Sequence, residues 1–197
     1  GDAHRGGQSV VKVHLDNGYT IIYKPHSLEN ESRFEELADK AGRACGLEMK
    51  QVPRICRDNY GWEACIDRAP CRTKEEVTRF YERTGILMFL FYLLGTNDIH
   101  GENIIASGEY PVAIDLENLL GMPDHIAGSN MMEKVKLYLH TSVLYSGMLP
   151  SAKWQQEGGS VNVSGLGGGE TVRLPFKIPG IAGSGTSDIR IAYHHPQ

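Results

Sequence analysis

Two short runs rich in valine, isoleucine and tyrosine, Ser9 to Leu15 and Tyr19 to Tyr23, open the chain on either side of Asp16-Asn17-Gly18. An Asn-Gly pair accepts the positive backbone angles of a tight turn, so the spacing predicts a β-hairpin. Pro25 stops the second strand and the apolar period then lengthens. Phe34, Leu37, Ala38, Ala41 and Cys45 recur at helical spacing within Glu29 to Cys45, and Gly46 is placed to end that helix. A second strand pair is expected at Val52 to Ile55 and Trp62 to Ile66, around the turn-forming Asp58-Asn59-Tyr60-Gly61. Thr73 with Glu76 makes a capping box for a helix through Val77, Phe80, Tyr81 and the nearly all-apolar Ile86 to Leu94. A helix apolar on every side belongs in the centre of a lobe.

Gly95 ends that helix, and a polar motif follows at once, in a loop at the mouth of the core. Residues Asn103 to Ala106 and Pro111 to Ile114 read as another hairpin, turning at Ser107-Gly108-Glu109. This places Asn103 and Asp115 at strand ends on a shared edge. Met131 to Leu149 is expected as a helix with Leu137, Leu144 and Met148 inward. From Gln155 to Ser187 glycine is dense, most of all at Ser164 to Gly169 and Gly180 to Gly185, which predicts a long mobile segment. The mixture of hairpins and helices is α+β.

Composition narrows the class. With 197 residues and 41% apolar content, the chain has material for one large domain or two small lobes. A net charge of -4 and a pI near 6.1 argue against a general nucleic-acid binder. The longest apolar run, Ile86 to Leu94, is too short to cross a bilayer and no charged-then-apolar leader opens the chain, so no transmembrane segment and a cytoplasmic location are expected. Cys45, Cys56, Cys65 and Cys71 are too widely spaced for a zinc knuckle and are read as free, buried thiols. The opening Gly1-Asp2, without methionine, is read as the start of a fragment.

The chemistry lies in Thr96-Asn97-Asp98-Ile99-His100-Gly101-Glu102-Asn103 and Ile114-Asp115-Leu116-Glu117. Asp98 precedes Asn103 by five positions, the interval between base and metal-binding asparagine in a kinase catalytic loop. Asp98 would accept a hydroxyl proton, while Asn103 and Asp115 would hold Mg²⁺ against the phosphates of ATP. The competing view makes Asp98 and Asn103 turn residues and Asp115 an ion-pair partner. Lys24, at the end of a strand, suits the phosphate-contacting lysine, with Glu31, Glu35 or Glu36 as the carboxylate that holds it. Gly1 to Gly7 is a glycine-bearing turn where a phosphate-covering loop would sit, although its Asp2 points to acid–base work as well.

Asp98-Ile99-His100-Gly101-Glu102-Asn103 with Ile114-Asp115 is similar to the catalytic and metal loops of phosphatidylinositol 3-kinase-like enzymes. A more specific resemblance adds Gly1-Asp2-Ala3-His4, Ile22-Tyr23-Lys24-Pro25, Tyr60-Gly61-Trp62, the run Leu93 to Ala106, Gly108 to Pro111, Ile114 to Glu117, Ser164 to Gly168 and Gly185 to Asp188. Together these resemble the dehydratase domain of class II lanthipeptide synthetases, the LanM family, over nearly the whole chain. The resemblance implies a lipid-kinase-like, two-lobed fold, with a small β-rich lobe at 1–72 and a mainly helical lobe at 73–197. It implies phosphorylation of serine and threonine in a precursor peptide rich in Ser, Thr and Cys, followed by phosphate elimination, and a cyclase domain C-terminal to this one. Phosphorylation then maps to Asp98, His100, Asn103 and Asp115, with Glu117 beside them. Elimination maps to Asp2, His4 and Lys24, with Thr186 and either Arg173 or Arg190.

The sequence departs from that family pattern in three ways. His26 stands where the family usually has arginine, which removes a permanent charge from the phosphate region. The stretch between Asp115 and Thr186 is short, and the upstream part of the dehydratase and the cyclase are absent from this sequence. Two rival readings stand beside the dehydratase: a simple phosphotransferase using the same loop, and a non-catalytic fragment.

Overall fold

Gly18, at φ +84°, turns β1 (Val11–His14) back on β2 (Thr20–Lys24), as the Asn-Gly pair requires. These strands belong to a computed structural model that describes residues 9–121, 130–150, 154–156, 159–161, 164–167, 178–182 and 190–194. A second hairpin, β3 (Arg54–Cys56) and β4 (Gly61–Ala64), completes an antiparallel sheet in the order β1-β2-β4-β3. Tyr23 lies opposite Trp62 across β2 and β4, and their rings meet at 5.1 Å. Such a cross-strand aromatic pair fixes register.

Helix α1 (Glu29–Ala44) ends where expected, and Gly46 shows why. At φ +72° it lets its own N–H reach Arg43 O and that of Leu47 reach Gly42 O, the paired bonds of a Schellman motif. Helix α2 (Lys74–Leu93) closes identically. Gly95, at φ +60°, donates to Tyr92 O and Thr96 to Phe91 O. At its other end the Thr73 hydroxyl accepts from Glu76 N, but the Glu76 carboxylate accepts from Arg72 N, one residue before the cap.

The core joins the two helices. Phe34 of α1 stacks on Phe91 of α2 at 5.2 Å, with Ala38, Leu87, Leu90, Ile99, Leu116 and Met148 in the same cluster. Hairpin β5 (Ile104–Ser107) and β6 (Tyr110–Ala113) adds Ile104 and Ala113 to it. Beyond lie α3 (Met131–His140), a short 3-10 turn at Val143–Ser146, and two more antiparallel hairpins. These are β7 (Trp154–Gln156) with β8 (Gly159–Val161), and β9 (Ile178–Ala182) with β10 (Arg190–His194). The chain is α+β.

Several expectations need correction. Helix α2 is not buried on every side: Leu87, Leu90 and Phe91 face inward, but Phe89 and Leu93 are 56% and 61% exposed. Helical geometry permits one inward stripe against a single neighbouring layer, whatever the sequence offers on the other side. The helix expected to Leu149 stops at His140, and both Leu137 and Leu144 are exposed while Met148 alone is buried. Its end carries Thr141 and Ser142, whose hydroxyls bond to Leu137 O and Leu139 O and compete for the closing turn. Within the stretch expected to be a long mobile segment, the described residues include the end of β7 and all of β8 and β9. The cysteines are free but not buried: Cys45 is exposed and Cys56, Cys65 and Cys71 are half-buried.

Candidate active site

The Schellman turn at Gly95 delivers the chain into the polar motif. Thr96 is buried and Ile99 sits in the core, so the two residues between them are pushed outward. Asp98 is exposed and adopts φ +67°. Asp115 is also exposed, at φ +61°. Aspartate tolerates the left-handed region better than most residues, yet two such positions among the candidate carboxylates are backbone conformations held by their surroundings.

Those surroundings are visible. Ile99 N donates to Ser146 O at 2.8 Å, and Gly165 N donates to Ile99 O at 3.1 Å, so the backbone after Asp98 is clamped from both sides. His100 bridges to Ser164 in an antiparallel pair, and its Nδ1 accepts from Glu102 N at 3.3 Å. Asn103 is nearly buried; its Nδ2 donates to Asp98 O at 2.9 Å, which leaves the amide oxygen as the atom it can offer a cation. Ile114 N donates to Asn103 O, extending the β5–β6 ladder by one step. Asn103 and Asp115 therefore do flank the same end of one hairpin.

Lys24 is the second focus, and strand register explains its setting. Ile22 lies opposite Glu63, and Lys24 opposite Gly61, so Lys24 and Glu63 are diagonal neighbours on one face. Lys24 Nζ is 3.1 Å from Glu63 Oε1 and 3.7 Å from Glu31 Oε1, with 7% of its side chain exposed. Glu31 was among the anticipated partners. Glu35 and Glu36 are engaged elsewhere, with Arg54 at 2.7 Å and Arg33 at 3.2 Å. The nearest carboxylate, Glu63, was missed; its only sequence signal is a lone charge inside the strand Gly61–Ala64. A side chain at Gly61 would collide with Leu28, which is fully buried, so this glycine lets the start of α1 close on the sheet and bring Glu31 to Lys24.

Glu63 also pairs with Arg54 at 3.0 Å, giving an alternating chain Glu31–Lys24–Glu63–Arg54–Glu35. His26 links this chain to the second loop. Its Nε2 is 3.5 Å from Glu31 Oε1 and its Nδ1 is 2.9 Å from Glu117 Oε1. The hydrogen bond to Glu31 raises the His26 pKa above its ordinary value, against burial, with Glu117 adding to the rise. Burial pushes Glu31 up, but the His26 bond and the Lys24 charge outweigh it and hold the carboxyl low. Burial prevails at Glu35, whose carboxyl is raised despite Arg54. Histidine at position 26 thus ties Lys24's partner to the loop after Asp115, a role the sequence did not disclose.

Among the described residues no cluster of three or more His, Cys, Asp or Glu is arranged to hold a metal ion by itself. The Asn103 and Asp115 pair still fits Mg²⁺ bound with a nucleotide, because that ion takes one or two carboxylates and completes its shell with phosphates and water. A cleft of about 560 Å³ opens beside Asp98, against α3 and the 3-10 turn. Asp2, His4, Thr186 and Arg173 lie outside the described residues. Arg190 is exposed at the start of β10. No described helix is long and apolar enough to cross a membrane.

Comparison with known proteins decides the family. Residues 1–197 match the family described as Domain of unknown function (DUF4135). The chain belongs to the DUF4135 family. This domain is found in LanM-type enzymes, so the lanthipeptide-synthetase resemblance holds. The chain is also 30% identical over 161 residues to the lacticin 481/lactococcin biosynthesis protein LcnDR2 of Lactococcus lactis subsp. lactis. That alignment covers 76% of this chain and 17% of the relative, so this DUF4135 chain spans a small part of that protein's length.

Proposed function

We propose that this domain dehydrates serine and threonine in a lanthipeptide precursor peptide, by phosphorylation from Mg-ATP and then elimination of the phosphate. One arrangement carries the reading: Asp98 stands exposed in a left-handed bend while Asn103, bonded to its carbonyl, pairs with the strand that delivers Asp115. The similarity to a lacticin biosynthesis protein supports the peptide substrate. The proposed architecture is lipid-kinase-like, with residues 1–72 as the smaller lobe and 73–197 as the larger.

In the first half-reaction Asp98 takes the proton from the acceptor hydroxyl, and His100 belongs to the same loop. Asn103 and Asp115 would hold Mg²⁺, with Glu117 beside them, and Lys24 would contact the ATP phosphates. The cation, when bound, neutralises charge on those phosphates. In the second half-reaction a base removes the α-proton, the Cα–Cβ double bond forms and the Cβ–O bond breaks, releasing phosphate. Asp2, His4 and Thr186 are assigned here, and Lys24 offsets the charge on the leaving group. The placement of Lys24 between Glu31 and Glu63 supports a fixed ammonium for both tasks.

The test is to incubate the protein with Mg-ATP and a serine-rich precursor peptide and weigh the product. Loss of water supports dehydration. A stable gain of phosphate points to a simple phosphotransferase, and an unchanged mass to a non-catalytic domain. Asp98→Asn is expected to slow phosphorylation about a hundredfold or more, and full activity in that variant would reject Asp98 as the base. His4→Ala is expected to accumulate phosphopeptide, and Lys24→Ala, which removes the ammonium assigned to both half-reactions, to slow phosphorylation as well as elimination.

A further inference from the structure

The cleft beside Asp98 divides the candidate catalytic set. Of Asp98, Asn103, Asp115 and Lys24, only Asp98 lines it. The residues assigned to cation and phosphates do not. The rest of its lining is Asn97 and Asn118, Lys136, Leu139 and His140 of α3, and Leu144 and Tyr145 of the 3-10 turn. Asn97 Nδ2 donates to Tyr145 Oη at 2.9 Å, and the Tyr145 ring lies 4.4 Å from that of His140. The residue before Asp98 is thereby tied to the 3-10 turn, and the turn to the end of α3.

From this division we infer that the cleft is the acceptor-peptide subsite, where the chain bearing the target hydroxyl lies with that hydroxyl at Asp98. The inference rests on the phosphotransfer reading and adds where the peptide binds and what it prefers. A base must touch the acceptor, whereas cation ligands must touch the donor, so a cavity reached by the base alone belongs to the acceptor. Its volume admits a few residues of peptide, since ligand pockets of about 300–1,000 Å³ hold drug-sized molecules. Side-chain amides such as that of Asn97 suit peptide N–H and C=O groups. Exposed Leu144 favours an apolar side chain next to the target residue. Lys136 is the permanent cation of the wall, so an acidic neighbour in the peptide is favoured over a basic one.

Leu144→Glu and Lys136→Glu test this, because both positions are exposed and tolerate substitution. Lys134→Glu makes the same charge change on α3 outside the cleft and serves as control. The probe is a fluorescein-labelled peptide with a single serine between leucine and aspartate. Leu144→Glu and Lys136→Glu are expected to raise its KM about tenfold without a matching rise in the KM for ATP, while Lys134→Glu changes neither by more than about twofold. Anisotropy without ATP reports peptide binding separately. A wild type that binds the peptide but transfers no phosphate rejects the phosphotransfer reading alone, provided the cleft variants weaken that binding. The subsite is overturned if wild type does not bind the peptide, if both cleft variants bind it unchanged, or if the KM for ATP rises in step with that for peptide.

Discussion

At the scale of single residues, the setting of Lys24 shows how a charge is kept in a nearly dry place. An ammonium with 7% exposure needs compensation, and Glu63 and Glu31 supply it from a strand and a helix. The helix partner was legible only as one of Glu31, Glu35 and Glu36 on the helix after the lysine-bearing strand. The strand partner was not legible, because Glu63 reaches Lys24 only through the β2–β4 register, which pairs residues far apart in sequence. Replacing Glu63 by glutamine keeps the shape and removes the charge. Breaking a buried pair costs about 3–5 kcal/mol when the partner is stranded. Here Lys24 retains Glu31 and Arg54 retains Glu35, so Glu63→Gln is expected to cost about 2–3 kcal/mol. Urea unfolding measures this, and an unchanged midpoint would show that Glu31 suffices alone.

Among the elements, those defined by local chemistry were legible and those defined by packing were not. Gly18, Gly46 and Gly95 each mark a boundary because each adopts a positive φ, and the first hairpin turns and both long helices end beside them. Helix α3 was misread in length and burial. Its apolar residues have the right spacing, but burial depends on a neighbour, and none of its residues is buried. The β5–β6 hairpin, which carries Asn103 and leads to Asp115, is held by a cluster that pattern alone does not reveal. Glu109 at its turn accepts from Arg79 and Arg83 of α2, and the Arg83 guanidinium lies 4.3 Å from the Tyr110 ring centre. The Arg79 hydrogen bond, helped by Arg83, holds the Glu109 carboxyl down at about 2 from an ordinary 4.5. Between those values the folded chain binds fewer protons than the unfolded one. The contribution of Glu109 is therefore complete above the ordinary carboxyl range and is lost as pH falls toward about 2. The stability difference between wild type and Glu109→Gln, measured in urea at about pH 6 and again at about pH 2.5, is expected to shrink on acidification. A difference that stays constant would remove Glu109 from the forces that pin this hairpin.

Across the whole molecule, the candidate catalytic loop is held by a segment distant in sequence. Gly165 donates one N–H to both Ile99 O and Gly147 O, and Leu166 N donates to Met148 O, so Ser164 to Gly167 lies along the backbone that follows Asp98. The glycine-rich composition of this stretch read as a long mobile segment, because glycine reports freedom of the unfolded chain as readily as close approach in the folded one. Here close approach is the reason. A Cβ at position 165 would stand 3.1 Å from Ile99 O and 3.4 Å from Met148 Cα, both backbone atoms that cannot rotate away. Gly165→Ala must therefore shift the segment or the loop by a few tenths of an ångström. Overpacking of this kind costs about 1–3 kcal/mol, and small displacements of a catalytic group cost disproportionately in rate. The expected result is a kcat for peptide phosphorylation lowered about tenfold in protein that still unfolds cooperatively in urea, with the KM for ATP little changed. Normal kcat together with normal stability would mean that the Ser164 to Gly167 contact does not position Asp98. Stability lost without loss of kcat in the folded fraction would make the contact structural, and would leave Asn103, through its bond to Asp98 O, as the group that sets the loop.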